Sequence, residues 1–76
     1  MRNHAKAPVY WISPLGPKDD FDDTFGEVMY DGKTVYGPWA NMTEASWKRY
    51  GIGKLGLGRG QKYQKQPDGR WLKVEG

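Results

Sequence analysis

The sequence predicts a small α+β domain in which a β-hairpin leads into a short helix and a second hairpin closes the chain. Three observations carry that prediction. Glu27-Val28-Met29-Tyr30 and Lys33-Thr34-Val35-Tyr36 flank Asp31-Gly32, a pair suited to a two-residue hairpin turn. Met42-Thr43 opens a segment with helix-start chemistry that runs to Gly51. Gln61–Gln66 and Arg70–Val74 flank Pro67-Asp68-Gly69, which fits a type I turn followed by a glycine bulge.

With 76 residues and 37% hydrophobic content, the chain lies near the lower limit at which apolar burial outweighs chain entropy. One domain over residues 8–76 is expected, preceded by a flexible N-terminal arm over 1–7. Its core must be aromatic, because four Trp, five Tyr and two Phe supply most of the large apolar surface. Pro8-Val9-Tyr10-Trp11-Ile12 suits an early strand, with proline at its first position. In the central hairpin, a turn at Asp31-Gly32 would set Val28 opposite Val35. Thr43 is placed as the N-cap, Met42 and Trp47 as a hydrophobic staple, and Gly51 as a left-handed C-cap.

Charge is unevenly distributed. Residues 1–38 hold four Lys/Arg against six Asp/Glu, whereas residues 39–76 hold eight against three. The acidic part is concentrated in Lys18-Asp19-Asp20-Phe21-Asp22-Asp23. This run reads as a solvated loop. A hard cation is the alternative, although the carboxylates stand in adjacent pairs, without the alternation, central glycine and closing glutamate of a calcium loop.

Several chemistries have little support. Without cysteine there is neither a disulfide framework nor a thiolate metal site, and the single histidine, His4, stands in the polar arm as a solvated residue. Ser13 and Ser46 have no adjacent base that would activate a nucleophile, so a non-enzyme without cofactor is expected. Gly51-Ile52-Gly53-Lys54-Leu55-Gly56 satisfies G-x-G-x-x-G, but a dinucleotide site needs a surrounding βαβ unit that 76 residues cannot hold. The bland alternative is a tightly turned or flexible loop over the core. A third is a loop whose amides meet a phosphate together with Lys54 and Arg59. No window approaches the roughly 20 apolar residues of a membrane span, which leads to the expectation of a soluble, cytoplasmic protein without membrane contact.

Asp31-Gly32-Lys33-Thr34, Gly37-Pro38-Trp39-Ala40, Met42, Gly51, Gly56, Gly58-Arg59-Gly60-Gln61 and Tyr63 resemble a pattern of small uncharacterised phage and prophage proteins. In that pattern a Cys-x-x-Cys pair opens the helix, as in a treble-clef zinc finger. The resemblance covers residues 24–66 and implies a treble-clef-like single domain. Thr43 and Ser46 occupy the second cysteine pair's positions, and Ser13 and Gly16 those of the first. Hydroxyls cannot replace thiolates in a structural zinc site. The resemblance therefore implies a variant without metal, held by its aromatic core and located in the host-cell cytoplasm if phage-encoded.

Binding remains, and two partner classes compete. In one, Lys48, Arg49, Lys54, Arg59, Lys62, Lys65 and Arg70 form a basic face with Tyr50, Tyr63 and Trp71, so that cations meet phosphates and rings stack on bases. In the other, the resemblance implies a small accessory protein that inhibits or modulates a host protein, with Trp and Arg as anchors. A minor virion or assembly role is a third possibility with no distinguishing residue.

Overall fold

The computed structural model describes residues 7–76, so His4 and nearly all of the expected arm lie outside the described residues. The elements are β1 (Val28–Lys33), β2 (Trp39–Met42), α1 (Glu44–Tyr50), β3 (Gly60–Lys65) and β4 (Trp71–Glu75). All strand pairs are antiparallel, in one sheet of order β2-β1-β3-β4. The α+β class holds, with a central hairpin, a helix and a C-terminal hairpin in the expected order.

Strand alternation sends apolar side chains to both faces of this sheet. On one face, Trp47 from α1 lies flat on Tyr30, with ring centroids 5.1 Å apart and planes 6° from parallel. Met42, the cross-strand partner of Tyr30, completes a core against which Phe21, Val28, Ala40, Tyr50, Ile52 and Leu55 pack. On the other face Met29 is fully buried, Trp11 meets Tyr63 edge-on at 5.7 Å, and Phe25 packs against Trp71 at 5.8 Å. The core is thus aromatic on both sides, and the sheet itself separates its two halves.

The central turn is not at Asp31-Gly32. Both residues are inside β1, and the chain reverses over residues 34–38, where Thr34 N–H donates to Pro38 O at 3.0 Å and Gly37 takes φ +108°. Val28 consequently faces Gln64 of β3, while Val35 is an exposed loop residue. The reason lies in Trp47. A Cβ at Gly32 would stand 2.6 Å from the indole, so glycine is needed here for close approach rather than for a turn. Gly51 serves the same ring. Its φ of −74° is ordinary extended backbone and not a left-handed cap, but a Cβ there would overlap the indole even more.

The helix start follows the local chemistry. Thr43 Oγ1 accepts from Ser46 N–H at 3.1 Å, which supplies one of the amides that a helix leaves without an internal partner. Met42 and Trp47 are both buried in the same cluster, as a staple requires. Thr43→Ala is expected to lower stability by about 1 kcal/mol, read as a reduced urea midpoint at unchanged slope.

The acidic run, expected as a solvated loop, keeps Lys18, Asp20, Asp22 and Asp23 exposed but is docked on the domain through its backbone and Asp19. Asp19 is buried, and its carboxylate accepts from the amides of Phe21 (2.9 Å), Asp23 (2.8 Å) and Thr43 (2.9 Å). Thr43 Oγ1 donates to Asp23, while Asp20 N–H donates to Asn41 O and its carboxylate accepts from Asn41 N–H. Burial alone would raise the Asp19 pKa. The hydrogen bonds from the Ser46 side chain and from the amides of Thr43, Asp23 and Phe21 outweigh it and bring the pKa below the usual carboxylate value.

Asp20 thereby occupies the outer edge of β2. At the opposite edge the expected strand over Pro8–Ile12 is reduced to one bridge, Tyr10 with Leu72, flanked by Trp11 N–H to Trp71 O and Lys73 N–H to Val9 O. One continuous segment, residues 9–20, is therefore bonded to both edges of the sheet and blocks pairing with another strand there.

Candidate nucleic-acid interface

The cations and rings expected to form one basic face are distributed around the domain. Lys62 lies opposite Tyr30 on the helix side, its amine 5.8 Å from that ring, whereas Lys65 lies on the other side over Trp71, also at 5.8 Å. Three residues apart on a strand, the two cannot share a face. Lys48 is paired with Glu44 at 3.6 Å, and Arg70 is paired with Asp68 at 2.8 Å and stacked 4.0 Å over Tyr10. Arg49 lies 5.6 Å from the centre of Tyr50, itself stacked on Phe21 at 4.1 Å. Tyr63 is only 7% exposed beneath Trp11, so its ring has no open side for a base. Trp71 is half-buried against Phe25. Lys54 and Arg59 remain exposed on the glycine-rich segment.

That segment is tightly turned and fastened to the end of β1. Ile52 N–H donates to Lys33 O at 3.0 Å and Lys33 N–H to Arg59 O at 2.9 Å, so the loop leaves and returns beside a single residue. Gly56 N–H to Gly60 O at 2.8 Å closes its tip. The bond between Lys33 and Arg59 continues the register of β1 with β3, in which Gly32 opposes Gly60. Across the other side of β1, Lys33 opposes Trp39.

A row of backbone neighbours therefore forms at this end of the sheet: Trp39 and Lys33 on the face opposite the helix, with Arg59, in the turn before β3, bonded beside Lys33. Trp39 is 43% exposed, and both cations are exposed. Neither cation, nor Lys54, forms an ion pair among the described residues. Between Gly32 and Gly60 the one acidic residue is Glu44, at the other end of α1 and already paired, against Lys33, Lys48, Arg49, Lys54 and Arg59. Tyr36, 69% exposed, lies at the same end of the molecule, tilted against Tyr50 at 6.2 Å.

One pleat inward, the next row on this face is Asn41, Asp31 and Gln61, all half-buried. Asn41 Nδ2 donates to Asp31 Oδ1 at 3.3 Å. Burial first, and the nearby Asp20 charge second, raise the Asp31 pKa. Beyond this row Met29 and Tyr63 are buried, so the open part of the face is confined to its Trp39 end.

Of the residues singled out from sequence, only Arg59 stands in this row, with Lys54 on the same glycine-rich segment. Lys33 and Trp39 were hidden by the misplaced turn. Had the reversal been centred on Tyr36, with Thr34 opposite Pro38, the pairing of Lys33 with Trp39 would have followed from counting alone.

Among the described residues, no three of His, Asp and Glu gather in a way that could hold a metal ion, and no helix is long and apolar enough to cross a membrane. No protein-family model, curated protein or solved structure matches this chain.

Proposed function

We propose that this domain is a non-catalytic nucleic-acid-binding module that makes contact through the Trp39 end of its sheet. The observation that carries the proposal is the row Trp39, Lys33, Arg59: an exposed ring beside two cations with no carboxylate partner among the described residues. Cations next to exposed aromatic rings are what a phosphate backbone with accessible bases requires. Both edges of the sheet are already bonded, so binding at this end requires no ordering of the strands themselves.

The hairpin that runs into a capped helix supports a metal-free, treble-clef-like reading of this unit. Thr43 and Ser46, at the cysteine positions of that pattern, bond to Asp23 and Asp19, so hydrogen bonds join the helix start to the preceding loop where a treble clef uses zinc.

A second reading, a partner protein, is favoured by Leu57. Its side chain is 97% exposed at the tip of the closed Gly56–Gly60 turn, and it would serve as an apolar anchor.

Fluorescence anisotropy with a labelled oligonucleotide, repeated from low to near-physiological salt, separates the two. For nucleic acid, the double variant Lys33→Ala/Arg59→Ala should bind more weakly and lower the log–log salt slope by about 1.5, the share of two phosphate contacts. Binding and slope unchanged in the double variant would refute the assignment. Absence of binding at any salt would transfer support to the protein partner.

A further inference from the structure

Asp31 is an unexpected residue beside a phosphate-binding surface. It is a half-buried carboxylate on the open part of the sheet, one pleat from Trp39 and Lys33, and it has no cationic partner among the described residues. One of its oxygens accepts from Asn41, and among the described residues no protein hydrogen bond uses the other. Resting on the nucleic-acid reading above, we infer that this surface takes single-stranded nucleic acid, stacks a base on Trp39, and selects bases carrying an exocyclic amino group through Asp31.

The argument is geometric and chemical. A ring that must meet a base face-on requires an unstacked base, which a duplex interior does not offer. Two residues along a strand is about 7 Å, within reach of the far edge of a base lying over the Trp39 indole. That edge would meet Asn41, Asp31 and Gln61. An ionised carboxylate only accepts hydrogen bonds, so it satisfies the amino group of cytosine or adenine. Against thymine or uracil it would face a carbonyl oxygen and lose its partner on desolvation. Asn41 and Gln61 can each donate or accept and so do not discriminate by themselves. Lys33 and Arg59, flanking in the outer row, would hold the adjoining phosphates and offset the repulsion between Asp31 and the backbone.

The test compares labelled dC12 and dT12, two pyrimidine strands of equal length, with a mixed-sequence 12-bp duplex at one low salt concentration. The native protein should bind dC12 about tenfold more tightly than dT12, as expected for one good base contact, and the duplex more weakly than dC12. Asp31→Asn, which can donate to a carbonyl oxygen, should raise dT12 affinity and bring the ratio close to one. Tryptophan emission should be quenched by dC12, and Trp39→Phe should remove most of that quenching. Equal affinity for dC12 and dT12, tighter duplex binding, or a ratio unaltered in Asp31→Asn would overturn the inference while leaving the nucleic-acid reading in place. Failure of all three nucleic acids to bind would overturn both.

Discussion

Trp47→Ala is expected to remove most of the domain's stability, because one indole fills the space between the helix and the sheet. It stacks on Tyr30 and is so close to Gly32 and Gly51 that neither position has room for a Cβ. Truncating a buried Trp costs about 3–5 kcal/mol. By the usual per-residue scale a chain of this size has only about 4–11 kcal/mol in total. Thermal unfolding followed by near-UV circular dichroism should show the transition greatly lowered or lost. Gly51→Ala tests the same packing from the other side: its added methyl must displace the indole, at a cost of about 1–3 kcal/mol. The two effects should not add. In a Trp47→Ala background the space around position 51 is open, so Gly51→Ala should cost little there. Full additivity would contradict the close-approach account of both glycines.

Asp19→Asn is expected to be the second most damaging change, although it removes no apolar surface. The carboxylate serves three backbone amides, and an amide group offers a single accepting oxygen. At least one buried donor is left without a partner, at about 1–3 kcal/mol. The same contacts set a pH dependence. Because the folded pKa of Asp19 is lowered from the ordinary carboxylate value of 3.8, its contribution is present above that value and is lost as pH falls through the lower, folded pKa. Asp31 acts in the opposite sense. Its folded pKa is raised, so its contribution is greatest below 3.8 and is lost as pH rises through the folded value. Urea midpoints measured from pH 2 to pH 6 should therefore show an acid loss in the native protein that is diminished in Asp19→Asn. In Asp31→Asn the acid loss should be steeper, since the opposing group has gone.

These two residues also mark where the sequence stops being readable. The helix was placed from Met42-Thr43 to Gly51 because its N-cap and staple act within a few residues of one another. The C-terminal hairpin was legible for the same reason: in the Gln66–Gly69 turn, Gly69 N–H donates to Gln66 O at 2.8 Å and Gly69 adopts φ +89°, as its Pro-Asp-Gly signature implies. Asp31-Gly32 carried an equally good turn signature and was misleading, because Gly32 answers to an indole 15 positions away. Gly51 ends the helix through lack of bulk and not through a left-handed φ, and both causes have the same residue as their signature. Asp19 looked like part of a solvated run because its partner amide, on Thr43, is 24 residues distant.

The candidate site shows the same division. Arg59 and Lys54 were recognisable as cations on a glycine-rich loop, a local feature. That Arg59 lies beside Lys33 and Trp39 depends on the register across three segments, and a shift of the turn by a few residues conceals it. Tyr63, which composition and spacing offer as a stacking ring, is covered by Trp11 through a contact that spans most of the chain.

The most direct test of the account is an amide chemical-shift titration of the labelled protein with a short single-stranded oligonucleotide at low and near-physiological salt. Salt-sensitive shifts should concentrate on Lys33, Trp39, Asn41 and Gln61 and on the loop from Lys54 to Arg59, with the Lys65 and Arg70 region unaffected. Shifts centred instead on Lys65, Arg70 and Trp71, or no shifts at either salt, would contradict it.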